Sequence, residues 1–294
     1  MSLTSQLLQY LFTGVTIGSI YGLVAIGFNI IYNATGIINF AQGEFVMLGG
    51  MCAVWLTATV GLPLWIAFPL AILIVTVVGI LLERIAIRPL RNAEVLAPII
   101  ATIGVSIFLK GFAMFVWGKQ TFMLPHFSGE EPIVLGGAAI LPQSLWVVGV
   151  TLAIVIGLSL FFEKTLTGKA IRACAFNRKA AALVGVNVSW MVMLSFALSA
   201  AVGAAAGIVV TPITLVSYGR GTMLALKGFS AAVLGGLGFT TGGVIAGVAI
   251  GILESLSAGM LSSHYKDAVA LVVLLAVLFI RPSGLMGIGP KREA

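Results

Sequence analysis

Glu44, Lys110, Lys227 and Glu254 each interrupt an apolar run, and a titratable group in such a setting is costly unless it is paired or lines a polar path. The chemistry open to them is proton or ion coupling, contact with a polar solute, or mutual neutralisation. Whether Glu254 and Lys227 meet is a question of space that spacing leaves open. Glu44 closes the segment Gly36 to Phe45, in which Asn39 and Gln42 have the form of a helix N-cap with its reciprocal partner. A helix begun there holds Glu44 within about 8 Å of its start. The expectation is a carboxylate near the membrane boundary, serving either as a gate or as a first-turn residue favoured by the helix dipole.

Two further segments have a distinct composition. Residues Gly168 to Gly185 are basic and built of good helix formers, without a charge-free run long enough to span. They predict a short helix on a membrane face. Ala173, Ala180, Ala181 and Ala182 keep its bulk low, which suits a groove on a partner; attraction to anionic lipid is the alternative. Residues Lys227 to Gly243, with Gly235, Gly236 and Gly238, have the form of a broken or re-entrant helix pair whose unwound backbone could line a path.

Several chemistries are absent. Gly168-Lys169 is followed by Ala170 and Gly118-Lys119 by Gln120, so neither completes a phosphate-binding loop. Cys52, Cys174, His126 and His264 show no metal-ligand spacing, and no nucleophile with a base is apparent. No cofactor is expected on this chain.

The elements that must carry these groups follow from composition. The 294 residues are 60% hydrophobic and 9% charged, far from the roughly 25% charged usage of soluble domains. A bilayer core needs about 20 apolar residues per helix. Apolar segments fall near 9–32, 40–59, 64–82, 95–117, 142–162, 189–213, 223–239, 240–260 and 267–281. The expectation is an all-α, polytopic membrane helix bundle of about eight or nine segments forming one integral domain over 1–294, with 223–239 as a candidate re-entrant segment. The N-terminus lacks the basic n-region of a cleaved signal peptide and is read as a retained span.

Eleven of the 16 Lys and Arg residues sit in three connections: Arg84, Arg88 and Arg91; Lys164, Lys169, Arg172, Arg178 and Lys179; and Arg281, Lys291 and Arg292. This bias marks the cytoplasmic side, putting the N-terminus outside and the C-terminus inside. The net charge of +7 is thereby read as topology, and nucleic acid is not an expected partner. Small residues recur at every fourth position at Gly14, Gly18 and Gly22; at Ser195, Ser199, Gly203, Gly207 and Thr211; and at Gly243, Gly247, Gly251, Ser255 and Gly259. Such stripes allow close helix contact in lipid, for static packing or for helices that slide.

Six segments together resemble the permeases of branched-chain amino-acid ABC importers: Gly14 to Gly22, Ile37 to Glu44, Glu83 to Arg91, Gly168 to Gly185, Ala231 to Gly238 and Arg281 to Leu285. The similarity covers nearly the whole chain and is closest to the shorter of the two paired permeases. It implies a bacterial inner-membrane subunit that pairs with a second, related permease. A periplasmic binding protein would feed the pair, and two cytoplasmic ATP-binding subunits would drive it. Through that resemblance Gly168, Arg172, Ala173, Asn177 and Gly185 become candidates for ATPase coupling, while Asn39, Gln42, Glu44, Lys227, Gly235, Gly236, Gly238 and Glu254 are, from their own setting in the chain, the candidates for the path or gate. Leucine, isoleucine and valine are the implied substrates, with urea, short amides or other amino acids as alternatives; an ion-coupled secondary carrier is the competing class. The usual Glu-Ala-Ala start of the coupling loop stands here as Lys-Ala-Ile or Arg-Ala-Cys. Gln42 occupies a position where His is frequent, which argues against an essential protonation there.

Overall fold

The computed structural model describes residues 3–91, 93–94, 96–260, 262, 266–281 and 283–286. His264, Lys291 and Arg292 lie outside the described residues. The helices are α1 (Leu3–Thr35), α2 (Gln42–Val54), α3 (Leu64–Leu82), α4 (Leu96–Trp117), α5 (Pro142–Lys164), α6 (Leu166–Phe176), α7 (Arg178–Leu183), α8 (Val188–Thr214), α9 (Arg220–Gly235), α10 (Thr240–Met260) and α11 (Lys266–Ile280). Among the described residues, six helices are long and apolar enough to cross a membrane: α1, α3 with its continuation to Leu90, α4, α5, α8 and α10. The outer faces of α3, α4 and α5 expose Leu73, Phe108, Phe115 and Ile156, as hydrocarbon contact requires.

The other three expected segments are shorter. α9 has 16 residues and α11 has 15, short of the about 20 of a full span. With their flanking turns, α2, α9 and α11 each still carry the chain towards the other end of the bundle. α2 is a 13-residue helix extended by a π-helical turn over Trp55–Thr59. All of α2 is buried; beyond Gln42 and Glu44 in its first turn it is apolar all round and belongs to the bundle core.

The small-residue stripes are where the core closes. α1 and α10 lie antiparallel, and a Cβ at Gly14 or Gly18 would stand less than 3 Å from the backbone of Ile252 or Val248. Gly247 and Gly251 face Gly22 and Gly18 in return. On the other side of the core α2 runs parallel to α8: Gly49 meets Ala204, and Gly207 meets the Val46 carbonyl. Gly79 brings α3 against Phe196 and Ala200 of α8. Lipid gives no hydrophobic drive for such contacts, so close backbone packing supplies it.

The two ends of the bundle differ. At one, a hairpin of β1 (Ile133–Leu135) and β2 (Ala138–Ile140) turns through Gly136 and Gly137, both at positive φ, as a tight hairpin prefers. It is this fold's small departure from an all-helical chain. Gln9 of α1 pins it, accepting from Ala139 N at 2.7 Å and donating to Ala139 O at 3.0 Å. The N-terminal end of α1 therefore lies beside the connection that carries Glu130 and Glu131. At the opposite end, Ala34 of α1 packs with Ile171, Cys174, Ala181 and Met191, among the basic residues.

The glycine-rich segment is a packed turn at that basic end. α9 stops at Gly235, and Gly236 and Gly238 adopt positive φ before α10 begins. Asn29 and Asn33 of α1 hold the turn: Gly238 N donates to Asn29 Oδ1 at 3.0 Å and Asn33 Nδ2 donates to Gly238 O at 2.8 Å. Leu285 N donates to Leu234 O at 2.7 Å, so the Arg281 to Leu285 motif closes over the turn. The unwound backbone is held by protein partners.

Replacing Gly18 by Leu forces two backbones apart and is expected to cost about 1–3 kcal/mol or more. Gly104 has nothing within 4 Å of its Cβ direction. Thermal unfolding in detergent should show a lowered midpoint and reduced yield for Gly18→Leu and a wild-type midpoint for Gly104→Leu; equal behaviour contradicts the packing described.

Candidate functional site

The site starts from the way α2 enters the bundle. After α1 ends, residues 36–41 turn back inward, and α2 begins beside the middle of its neighbours rather than at the boundary. Ser199 lies about 16 Å along α8, and Ser106 about 15 Å along α4, at 1.5 Å per residue. Both touch the first turn of α2. The Ser199 hydroxyl donates to Gln42 Oε1 at 2.6 Å, with the Gly27 carbonyl 2.9 Å away, and Gln42 Nε2 donates to Ser199 O at 3.3 Å. Gly27 leaves the space that the Gln42 amide fills. Glu44 accepts from Ser106 Oγ at 2.9 Å on Oε1.

Two expectations are thereby corrected. Glu44 sits at mid-depth, not near the boundary, because α2 starts inside the bundle. The predicted capping pair does not form. The N-cap is Ala41 with no side-chain cap bond, since the Gln42 amide is drawn to α8 while Asn39 Oδ1 accepts from Ala41 N at 3.1 Å. Phe40 N finds Thr102 Oγ1 at 3.1 Å, so these interior backbone donors are satisfied one by one.

Glu44 is 1% exposed, and its partner cation is Lys110, whose Nζ lies 3.6 Å from Oε1. Glu44 Oε2 is buried with no hydrogen-bond partner. Beside this pair is a cleft of about 280 Å³ between α4 and α9. Ser106, Lys110 and Thr222 supply its polar groups, and Phe28, Phe40 and Phe229 are among its apolar walls. Phe229 packs its ring on both Phe28 and Phe40, at centroid distances of 5.7 and 6.0 Å.

The second ionisable group meets across α9. Lys227 Nζ is 2.9 Å from both Glu254 carboxylate oxygens. Tyr21 donates from its hydroxyl to Glu254 Oε2 at 2.8 Å, and the ammonium stands 5.3 Å from the Tyr21 ring centroid. The pair that spacing left open is thus a buried triad of α1, α9 and α10. It borders an apolar cavity of about 200 Å³ reaching Leu271 of α11. Leu226 and Phe229 line both cavities, so α9 is the partition between them. Tyr21, Ser106 and Lys110 complete the two clusters. Lys110 was visible as an in-span cation, whereas Tyr21 and Ser106 carry no signal of their own in an apolar helix.

The 168–185 segment forms two short helices rather than one. Thr165 caps α6, accepting from Gly168 N at 2.9 Å; Asn177 ends α6 and caps α7, accepting from Ala180 N at 3.0 Å. Gly185, at φ +89°, closes α7 with Gly185 N donating to Ala182 O and Val186 N to Ala181 O, the double bond of a glycine-terminated helix. Arg172, Ala173, Asn177 and Gly185 are exposed, but Gly168 is buried against Phe161 and Phe162 of α5. Gly168 seats the helix and does not present a surface. Leu166, Phe176, Leu183 and Val184, at 86%, 82%, 88% and 79% exposure, are the large apolar groups that stand out from this pair and the residue after it, which the alanine pattern did not single out. Burial pushes the Cys174 thiol up and pulls the Arg178 guanidinium down from their ordinary values, each partly offset by the other.

A bundle of spanning helices with ion pairs held at mid-depth beside a cleft defines an integral membrane protein of the transporter kind. The family model for branched-chain amino acid transport system permease components matches residues 10–278, and the chain belongs to that family. It is 35% identical to the high-affinity branched-chain amino acid transport system permease protein LivH of Salmonella typhimurium, over 95% of each chain. It is 36% identical to the corresponding protein BraD of Pseudomonas aeruginosa, again over 95% of each. Identity to a probable branched-chain amino acid transport permease LivH of Methanocaldococcus jannaschii is 30%, covering 92% of this chain and 89% of that one.

Removing one partner of the Lys227–Glu254 pair leaves a buried charge and is expected to cost about 3–5 kcal/mol. Lys227→Met and Glu254→Leu should each lower the unfolding midpoint in detergent, while the double variant should recover about 0.5–3 kcal/mol relative to their sum. Strict additivity would show that the two groups do not act as a pair.

Proposed function

We propose that this chain is the membrane-spanning permease subunit of an ATP-driven importer for branched-chain amino acids, acting as one integral unit over 1–294. The observation that carries the reading is the mid-depth Glu44–Lys110 pair beside an aromatic cleft, on a chain whose relatives are named as branched-chain amino acid permeases along their full length. A path for leucine, isoleucine or valine needs charged groups for the amino acid's two ionic ends and apolar walls for its side chain. The cleft offers apolar walls and the Lys110 ammonium, with the Glu44 carboxylate buried behind Lys110 and Ser106.

In this reading the basic end faces the cytoplasm of the bacterial inner membrane, which leaves the N-terminus outside and the C-terminus inside. The exposed side of α6 and α7, with Arg172, Ala173, Asn177 and Gly185 beside Phe176 and Leu183, is the docking surface for an ATP-binding subunit. Two such subunits, a second related permease and a periplasmic binding protein complete the importer, with lipid around the exposed faces of α3 to α5. ATP is used by the partner subunits, and no bond in the substrate changes. ATP binding closes the ATPases, the α6–α7 pair transmits the movement, and helices meeting at small residues repack around the path. Lys227, Glu254 and Tyr21 brace the α9 partition, and Gly235, Gly236 and Gly238 anchor its end, while Asn39 and Gln42 hold Glu44 at depth.

Reconstituted with its partners, the chain should take up leucine in an ATP-dependent manner. Arg172→Glu should abolish substrate-stimulated ATP hydrolysis in a protein that still elutes as a folded species. Unchanged stimulation contradicts the docking surface. Uptake by the chain alone under an ion gradient would instead establish a secondary carrier.

A further inference from the structure

We infer that the pocket at the basic end of the bundle, between the end of α3, the start of α4 and α7, holds the phosphate of an anionic phospholipid headgroup. Arg88, Arg91 and Arg178 take the phosphate oxygens, and the acyl chains lie along the exposed faces of α3 and α4. The inference rests on the membrane placement of the bundle and is independent of the importer's substrate.

The pocket has a volume of about 170 Å³ and is gathered from five helices. Arg88 and Arg91 come from the turn that continues α3, Pro98 from α4, Thr35 from α1, Arg178 from α7 and Ser189 from the first turn of α8. Glu83 also lines it, but this carboxylate is 2% exposed and offsets at most one of the three positive charges. Among the described residues, no carboxylate stands within ion-pair distance of Arg88, Arg91 or Arg178. Three guanidiniums around one pocket repel one another unless an anion joins them. Their planar forks match the oxygens of a phosphate group, and the Ser189 hydroxyl adds a neutral donor.

The level of the pocket selects a lipid. Counted from Leu64, about 20 residues at about 1.5 Å each cross the hydrocarbon and end near Arg84. Arg88 and Arg91 stand about 6 and 10 Å further on, in the headgroup layer. α4 packs against the Glu83–Ile87 turn, and Leu81, Ile85, Leu96 and Ile100 on these two helices are exposed. They offer acyl chains an apolar surface on the hydrocarbon side of the arginines. Basic pockets between spanning helices are suited to anionic headgroups. The excess of positive charge favours a headgroup with a net negative charge, such as phosphatidylglycerol, over phosphatidylethanolamine, whose ammonium group would meet three arginines. A phosphate held there ties α7 to the connection between α3 and α4.

The test uses the purified full-length chain in a nonionic detergent. It is titrated with dioctanoyl-phosphatidylglycerol, dioctanoyl-phosphatidylethanolamine or inorganic phosphate and followed by native mass spectrometry and thermal unfolding. The wild type should bind phosphatidylglycerol saturably and more tightly than the other two, and its unfolding midpoint should rise as the lipid binds. Arg88→Gln combined with Arg91→Gln should weaken this binding about tenfold or more, on the scale of lost hydrogen bonds to a charged group. Arg84→Gln, one turn earlier and outside the pocket lining, should leave it unchanged. If the glutamine pair fails to insert, Arg88→Lys with Arg91→Lys keeps the charge that sets topology and should still weaken binding about threefold, because the fork is lost. Unchanged affinity in the double variants, or phosphatidylethanolamine bound as tightly as phosphatidylglycerol, overturns the inference. Inorganic phosphate that displaces the lipid at equal concentration assigns the site to a soluble anion and also overturns it. So does loss of co-purifying ATP-binding subunits with lipid binding intact, which would assign the arginines to a protein carboxylate.

Discussion

The structure depends on a helix that begins in the middle of a bundle. In a lipid-embedded protein each amide must find an acceptor without water, and the first turn of a helix is where acceptors run out. α2 meets this demand with local partners. Asn39 serves Ala41 through its side chain and Gln42 through its carbonyl, Thr102 of α4 serves Phe40, and the Ala41 carbonyl serves Glu44. The Gln42 amide then ties the turn to Ser199 of α8 and fills the space left by Gly27 of α1. Three helices converge on one short segment, and Glu44 is carried to mid-depth as a result.

Close packing without side chains is the second requirement. Because α2 is buried on every side, its neighbours must approach within backbone distance, and Gly43, Gly49, Gly203, Gly207 and Gly221 make that approach possible. The antiparallel α1–α10 contact follows the same rule through Gly14, Gly18, Gly247 and Gly251. α9 is wedged between these two packed units, with Gly221 against α2 and Gly228 against Val24 of α1. Its ionic tie to α10 through Lys227 and Glu254 therefore bears on the width of the cleft on its other side.

The sequence made the membrane class, the helical content, the small-residue contacts and the two ends of the bundle legible, since apolar runs, four-residue spacing and clustered charge are local signals. It also singled out Glu44, Lys227 and Glu254 by their apolar setting. It misplaced the depth of Glu44, because an apolar run that turns inward reads the same as one that starts at the surface. The Asn39 to Gln42 spacing suggested a cap, yet a tertiary bond to Ser199 outcompeted the local one. The glycine-rich segment suggested an unwound path, but Asn29 and Asn33, more than two hundred positions away in sequence, fill its bonding capacity. Ser106 and Tyr21 were invisible because a hydroxyl in an apolar helix acquires meaning only from what stands opposite it.

The central claim, that α2 starts at mid-depth against α8, is tested most directly by proximity. Gln42→Cys paired with Ser199→Cys, in a background lacking Cys52 and Cys174, should be bridged rapidly by a short bifunctional methanethiosulfonate in the assembled membrane protein. Gln42→Cys paired with Ser189→Cys, at the basic end of α8, should not. Bridging to 189 in place of 199 would put the start of α2 at the membrane boundary and contradict the account.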